Sequence, residues 1–513
     1  MITTLQDFTL DTGRRFVLSL SVVCLVELVP LVFASPLPAH ETDSLALVQA
    51  FENVLSDIIE RNSSSVVAVA RVWRQRIAGP FSRESLPFEL RGLLPDPKDP
   101  NFVPHDFGTG VVVDANGLIL TNYHVLGRDD EQVKTSSFFV TTSPGNVYEA
   151  KIRAADPWSD LAVLEISAKD LKPIQFGDAT GVRPGAIVVA LGNPYAVARD
   201  GRPSASWGIL SNRSRKQGVA ARRSLAGGRE TMHHHGTLLQ TDAKLSWGAS
   251  GGALMNLRGE MIGLTVSLSA AVAFESAAGY AIPVDPTFQR IVDRLRSGKE
   301  VEYGFLGVGP ENIASPSVEA KNVVGVRLRQ VLPGTPAARA GLLVDDIVTH
   351  IGEDAVVNTD QFMLFIGRYL VGAQVPLRIR RGAAELSLEV TLTKKPIVGS
   401  RSTIVTGETR WWRGLRFDYA TASAAFTELS ESSVPDSSQY VAVTDVLADT
   451  PAWQGGVRSG MFISHAVGQR VDTPDAFMAA VKDQTGPVEL RFAVYREGED
   501  ATHIIESVRT DEN

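Results

Sequence analysis

Residues 241–254 read TDAKLSWGASGGAL, a serine followed by two glycines just ahead of the apolar run MIGLTVSL at 261–268. Two readings are open. The glycines form a plain bend between two strands, or they set Ser250 on a turn as a nucleophile. A serine hydroxyl is a poor nucleophile at neutral pH. It needs a base within hydrogen-bond reach, a third group that orients the base, and N–H donors aimed at the developing oxyanion. Glycine permits the dihedrals that turn successive amides toward one point. The choice rests on whether a histidine and an aspartate occupy suitable places elsewhere.

Composition frames the search. A chain of 513 residues implies roughly three domains. Apolar residues make up 44% and charged residues 21%, which excludes a mostly disordered chain. A net charge of -8 provides no basic field to recruit nucleic acid. Arg14 and Arg15 precede FVLSLSVVCLVELVPLVFA, so residues 1–34 read as a signal peptide or membrane anchor, with export expected. Cys24, the single cysteine, lies inside that segment, leaving the mature chain without disulfide or thiol chemistry. No cofactor is implied.

Residues 43–61 carry apolar side chains at a helical period and predict an amphipathic helix. SVVAVARVW, GVVVD, LILTNYHVL, SFFVTT, LAVLEI, AIVVALG and MIGLTVSL then predict short strands separated by turns, as in a sandwich or barrel. Residues 284–297 predict a closing helix. Beyond it, VLPGTPA at 331–337 matches VLADTPA at 446–452, DQFM at 360–363 matches DAFM at 475–478, and Arg381 matches Arg496. The offset is constant, so two domain-sized copies follow one another, joined by a linker at 396–411.

LILTNYHVL places His124 after an apolar strand, and DPWSDLAVL places Asp160 at the start of another. Each alone is an ordinary strand-end residue. Together with Ser250, in one β-rich segment, they form the required set. The stretches GTGVVVDANGLILTNYHVL from Gly108, DPWSDLAVL from Asp156, ALGNPY from Ala190, TDAKLSWGASGGAL from Thr241 and GYAIP from Gly279 resemble the HtrA/Deg family of serine endopeptidases, in family order.

That resemblance implies a mostly β chain: a chymotrypsin-like double β-barrel protease domain over 40–300, a PDZ domain over 303–396 and a PDZ-like α+β domain over 408–510. His124 is then the general base, Asp160 its orienting partner and Ser250 the nucleophile, with the Gly248 and Ser250 amides forming the oxyanion hole. Phe305, Leu306, Gly307 and Val308 resemble a carboxylate-binding loop, and Leu415 and Phe417, in GLRF, its second copy. Strand addition of a C-terminal peptide is the implied mode of binding. The second copy also loses the two aspartates of GLLVDDIV and is expected to serve as a spacer or assembly module. The family has Asn where this chain has Ala249, so the hole is expected to assemble less readily without substrate.

The resemblance further implies unfolded polypeptides as substrates, a homotrimer or a multiple of trimers, and no nucleic acid. Residues 80–104 correspond to a loop that reaches neighbouring subunits, the basic stretch 212–236 to a ligand-sensing loop, and 265–278 to the border of the specificity pocket. His233–His235 lack the spacing of a metal site. The alternative function is a chaperone or peptide-binding scaffold with a vestigial protease body.

Overall fold

A computed structural model describes residues 41–73, 106–193, 200–216, 231–266, 278–313, 324–396, 402–407, 411–423, 436–493 and 500–505, with Asp99, Phe102, Pro104 and Phe426. The N-terminal segment 1–34, most of the 80–104 loop, the middle of the basic loop (217–230) and the specificity-pocket border (267–277) lie outside the described residues. The chain divides into a short unit up to Glu52 and a large unit from Asn53 onward.

The first helix runs Glu41–Ser63. Its periodicity is helical, yet Leu45, Leu47 and Val48 are exposed, whereas Ile58 is fully buried with Leu55 and Ile59 packed beside it. The strands that follow alternate or are wholly apolar, and they close into barrels, each pairing the last strand in its order back onto the first. The first barrel contains β1 (Val66–Trp73), β2 (Asp106–Asp114), β3 (Leu118–Asn122), β4 (Ser136–Thr142), β5 (Asn146–Asp156) and β6 (Leu161–Glu165). Their order is β5-β4-β1-β2-β3-β6, and β6 pairs back onto β5. The second barrel contains β7 (Ile187–Gly192), β8 (Ser204–Arg215), β9 (Leu238–Thr241), β10 (Ala253–Met255), β11 (Met261–Val266) and β12 (Gly279–Pro283), closed by β7 on β10. Leu120 and Val163 of the first share one core with Leu191 and Leu264 of the second.

Helix Pro286–Arg296 ends this body. Asp285 caps it by accepting the Phe288 N–H, Pro286 opens it, and Phe288, Ile291, Val292 and Leu295 are buried.

Two α+β modules come next, with one strand order. In the first it is Val308–Asn312, Val326–Val331, Ile347–Ile351, Gln374–Arg381, Ala384–Thr391; in the second, Leu415–Tyr419, Val441–Val446, Phe462–Ala466, Val488–Ala493, Asp500–Ile505. Left-handed backbone recurs at equivalent places even where the residue differs: Gly334 (φ 66) and Asp449 (63), Asp345 (70) and Gly460 (90), Gly352 (59) and Val467 (53). One of the two lost aspartates is structural. Asp346 is buried and takes a two-pronged hydrogen bond from Arg381 (2.7 and 2.8 Å), while Met461 stands in its place in the second copy.

The segment between the modules is more than a linker. Ile404 and Val405 add a strand to β5, opposite Ala155 and Ala154. Ser402 donates from its N–H and hydroxyl to Asp130 (2.7 and 2.6 Å) and accepts at its carbonyl from the Tyr123 hydroxyl (3.1 Å). The Gly407 N–H bonds the Gly298 carbonyl (2.9 Å).

Between the modules, the buried Lys394 ammonium meets Glu300 (2.8 Å) and Asp418 (2.5 Å). Burial works against its charge, but the two carboxylates outweigh it and hold the ammonium above the usual lysine range. Replacing Lys394 with Ala strands both acids, and we expect a loss toward the lower end of about 3–5 kcal/mol in urea unfolding. Removing the exposed Arg491–Glu489 pair should cost about 0–1 kcal/mol in the same assay.

Candidate active site

His124 and Asp160 come together because β3 and β6 are neighbours. The register sets Asn122 opposite Leu161, so the chain leaving β3 and the turn entering β6 meet at one end of the barrel. His124 sits in the short helix Tyr123–Leu126, and its Nδ1 lies 2.7 Å from Asp160 Oδ2. The other carboxylate oxygen accepts the His124 backbone N–H at 3.0 Å. The Asp160 carbonyl takes the Tyr123 N–H (2.9 Å) and the Asn122 side-chain amide (3.3 Å). Asp160 is buried and holds a left-handed φ of 56°, a conformation that survives only where its surroundings over-determine it.

Ser250 comes from the second barrel, on the turn between β9 and β10, and is held from both barrels. Thr109 of β2 donates its backbone N–H to the Ser250 carbonyl (2.7 Å) and its hydroxyl to the Gly248 carbonyl (2.7 Å). The Thr109 hydroxyl oxygen in turn accepts the Asn193 N–H (2.8 Å). From β11, the Thr265 hydroxyl bonds the Ala249 carbonyl, and its backbone carbonyl takes the Gly251 N–H (2.8 Å). Gly251 has φ 86°, and a Cβ there would lie 2.0 Å from the Thr109 carbonyl oxygen, so no other residue fits. Ala249 is buried with its methyl facing Gly192. Among the described residues, the Gly248 N–H has no acceptor.

Behind this pair lies a group that the sequence reading missed. Asp156 is fully buried, and its Oδ2 accepts from the Ser159 N–H (2.9 Å), the Ser159 hydroxyl and the Tyr303 hydroxyl. Burial pushes its carboxyl above the ordinary range, against the pull of those hydrogen bonds. The DPWSD turn and the return of Tyr303 to it are visible only in three dimensions.

His233–His235 form a 3-10 turn, Met232–His235. His234 Nδ1 accepts the Thr231 N–H (2.8 Å), and His235 Nδ1 lies 3.4 Å from Asp360 of the helix Thr359–Arg368. No group of three metal-ligating side chains converges among the described residues. A cavity of about 180 Å³ separates this turn from that helix, lined by Trp158, Met232, His235, Tyr303, Met363 and Arg368.

In the first module, Val308–Asn312 is an edge strand facing the Thr359–Arg368 helix. Phe305 is half-buried, Leu306 is buried, and Gly307 (φ 86°) crosses so close to Thr335 that a Cβ would lie 2.3 Å from it. In the second module, Gly414 (φ 84°) crosses Thr450 in the same way. Leu332 donates to the Gly307 carbonyl and Leu447 to the Gly414 carbonyl. The structural equivalent of Phe305–Val308 is therefore Trp412–Leu415, and the sequence expectation of 414–417 is corrected by two residues. Leu415 and Phe417 are core residues. Phe417 packs on Phe477 of the helix Pro474–Val481 (centroids 4.5 Å apart), and Trp412 stacks edge-on against the same ring (5.8 Å). These side chains fill the space between the strand Leu415–Tyr419 and that helix in the second module.

Two predictions follow from this geometry. Replacing Thr109 with Val orphans the Gly248 carbonyl and Asn193 N–H, each worth about 1–3 kcal/mol, and we expect kcat of peptide cleavage to fall at least about 10-fold. The raised Asp156 pKa stabilises the fold at acid pH. That contribution is complete below the ordinary carboxylate value of 3.8 and is lost as pH rises through the folded value. Asp156→Asn, which keeps an acceptor oxygen without the charge, should therefore compare better with wild type in melting temperature at pH 7 than at pH 4.

Comparisons with known proteins agree with this architecture. Residues 108–264 match the trypsin-like peptidase domain family and residues 304–392 the PDZ domain family. Serine endoprotease DegS of Haemophilus influenzae is 31% identical over 298 residues, covering 57% of this chain and 78% of that protein. Periplasmic pH-dependent serine endoprotease DegQ of Escherichia coli is 26% identical over 414 residues, 79% of this chain and 81% of that one. A probable periplasmic serine endoprotease DegP-like of Chlamydia muridarum is 28% identical over 384 residues, 74% and 70% of the two chains. The solved structure of the HtrA-type protease AlgW with tripeptide has the same fold, with a TM-score of 0.52 at 23% identity, covering 67% of this chain and 98% of that one.

Proposed function

This chain belongs to the HtrA/Deg family of serine endoproteases, and on that premise we propose that Ser250, His124 and Asp160 carry out its peptide-bond hydrolysis. The observation that carries the assignment is the doubly bonded His124–Asp160 pair, Nδ1 to Oδ2 at 2.7 Å and N–H to Oδ1 at 3.0 Å. With Nδ1–H given to the carboxylate, Nε2 is the free base. It takes the Ser250 proton as Oγ attacks the scissile carbonyl. The Gly248 and Ser250 amides receive the oxyanion. His124 then gives the proton to the departing amine, and a water activated by the same Nε2 releases the acyl group. The Thr109 and Thr265 hydroxyls hold the carbonyls of Gly248 and Ala249, supporting this loop without an asparagine side chain at 249.

The substrates we propose are unfolded or damaged polypeptides in an extracytoplasmic compartment. The export-like N-terminal segment and the periplasmic names of relatives support this reading. The edge strand Val308–Asn312 beside its helix suits capture of an extended C-terminus by strand addition, with Phe305, Leu306, Gly307 and Val308 at the carboxylate end. The second module, with aromatic side chains packed between its first strand and its helix, serves as a spacer or in assembly. The working form is a homo-oligomer, as trimers or multiples of them.

The deciding experiment is digestion of β-casein by the chain beside its Ser250→Ala variant. Wild type should cut and the variant should not. Binding of casein without cutting by either would favour the scaffold reading.

A further inference from the structure

Two sets of hydrogen bonds converge on Ser159, the residue before Asp160. The His233 Nε2 lies 2.7 Å from the Ser159 carbonyl oxygen, and its Nδ1 lies 2.7 Å from the Thr237 hydroxyl. A carbonyl can only accept, so Nε2 bears the proton, and the bare Nδ1 accepts from Thr237. The ring is 2% exposed, and burial holds it below the usual histidine range. From the opposite side, the Ser159 N–H and hydroxyl are taken by Asp156, which is itself fastened by Tyr303.

The geometry gives this clasp a specific effect. The Ser159 carbonyl belongs to the peptide plane that enters Asp160, and φ of Asp160 is the rotation of its Cα against that plane. Fixing the carbonyl oxygen fixes the plane, and with it the left-handed φ of 56° from which the carboxylate reaches His124. Without the clasp, the plane is free to relax toward the right-handed conformation that a non-glycine residue prefers.

We propose that His233 is a positioning residue for Asp160, acting through the Ser159 carbonyl. It touches neither substrate nor the reacting atoms. The inference rests on the proposed triad and adds to it a fourth side chain from the second barrel. The three consecutive histidines then have separate tasks: His233 faces Ser159, His234 closes the turn on Thr231, and His235 faces Asp360.

The test uses the full chain with a fluorogenic peptide, comparing His233→Leu, His233→Gln, Thr237→Val and Ser250→Ala. His233→Leu should lose about 10–100-fold in kcat, the scale of a small misplacement of a catalytic group, with KM within about 2-fold of wild type. His233→Gln, whose amide N–H can take the place of Nε2–H, should recover most of that loss. Thr237→Val should lose a smaller factor and should add nothing to the leucine variant. If the leucine variant does not fold, the same kcat-selective loss in Thr237→Val carries the proposal, and an unchanged kcat overturns it. Wild-type kcat in a folded His233→Leu overturns it, as does a loss shared equally by the leucine and glutamine variants. Activity that depends on added zinc in wild type and not in His233→Leu replaces it with a metal role. Cleavage that persists in Ser250→Ala refutes the triad itself, a different failure.

Discussion

The loop that carries Ser250 depends on one threonine with two hydrogen bonds to it from the opposite barrel. Thr109 lies in the first barrel, yet its N–H and hydroxyl hold the carbonyls of Ser250 and Gly248, and its hydroxyl also accepts from Asn193 at the end of β7. A buried carbonyl left without a partner costs about 1–3 kcal/mol, so the Ser250 loop cannot move without breaking bonds to both barrels. The glycine at 251 is the counterpart of this closeness: the backbone of β2 leaves no volume for a side chain. The two barrels thus share one core and one loop.

The amino-acid sequence displays much of this. The short apolar runs are the barrel strands because alternation and turn residues dictate them locally, and the helix at 286–296 starts where Asp285 can cap it. Contacts between distant segments stayed hidden. Nothing in Tyr303 marks it as the partner of a turn more than seventy residues away, and the run of histidines at 233–235 raises the question of a metal without pointing to Ser159. The amphipathic period at 43–61 was legible, but not that Leu45, Leu47 and Val48 would be exposed, because periodicity reports a helix face and not what covers it.

The repeat shows a subtler limit. Its offset is constant from VLPGTPA to Arg381 but differs at the first strand, where Gly307 answers to Gly414, because the second copy has a longer excursion after that strand. Motif matching by look-alike letters therefore chose GLRF. The physical marker was the glycine that must pass against a threonine, and it lies two residues earlier in the motif. The second copy kept the turns and packed aromatic side chains between strand and helix, as Phe417 and Trp412 close on Phe477.

The strand that the inter-module segment lends to β5 changes the mechanics of the chain. The first module departs from the protease body just after Gly298, and the chain comes back to that body at Ser402–Gly407, where Gly407 bonds Gly298 itself. A domain on a single tether can swing through a cone. One whose exit and return are pinned side by side is held at both ends of its chain, like a door on paired hinges, and the His235–Asp360 contact holds it at a third place. The return segment also runs beside Tyr123, the residue before His124, and beside the end of β5, from which the chain turns toward Asp160.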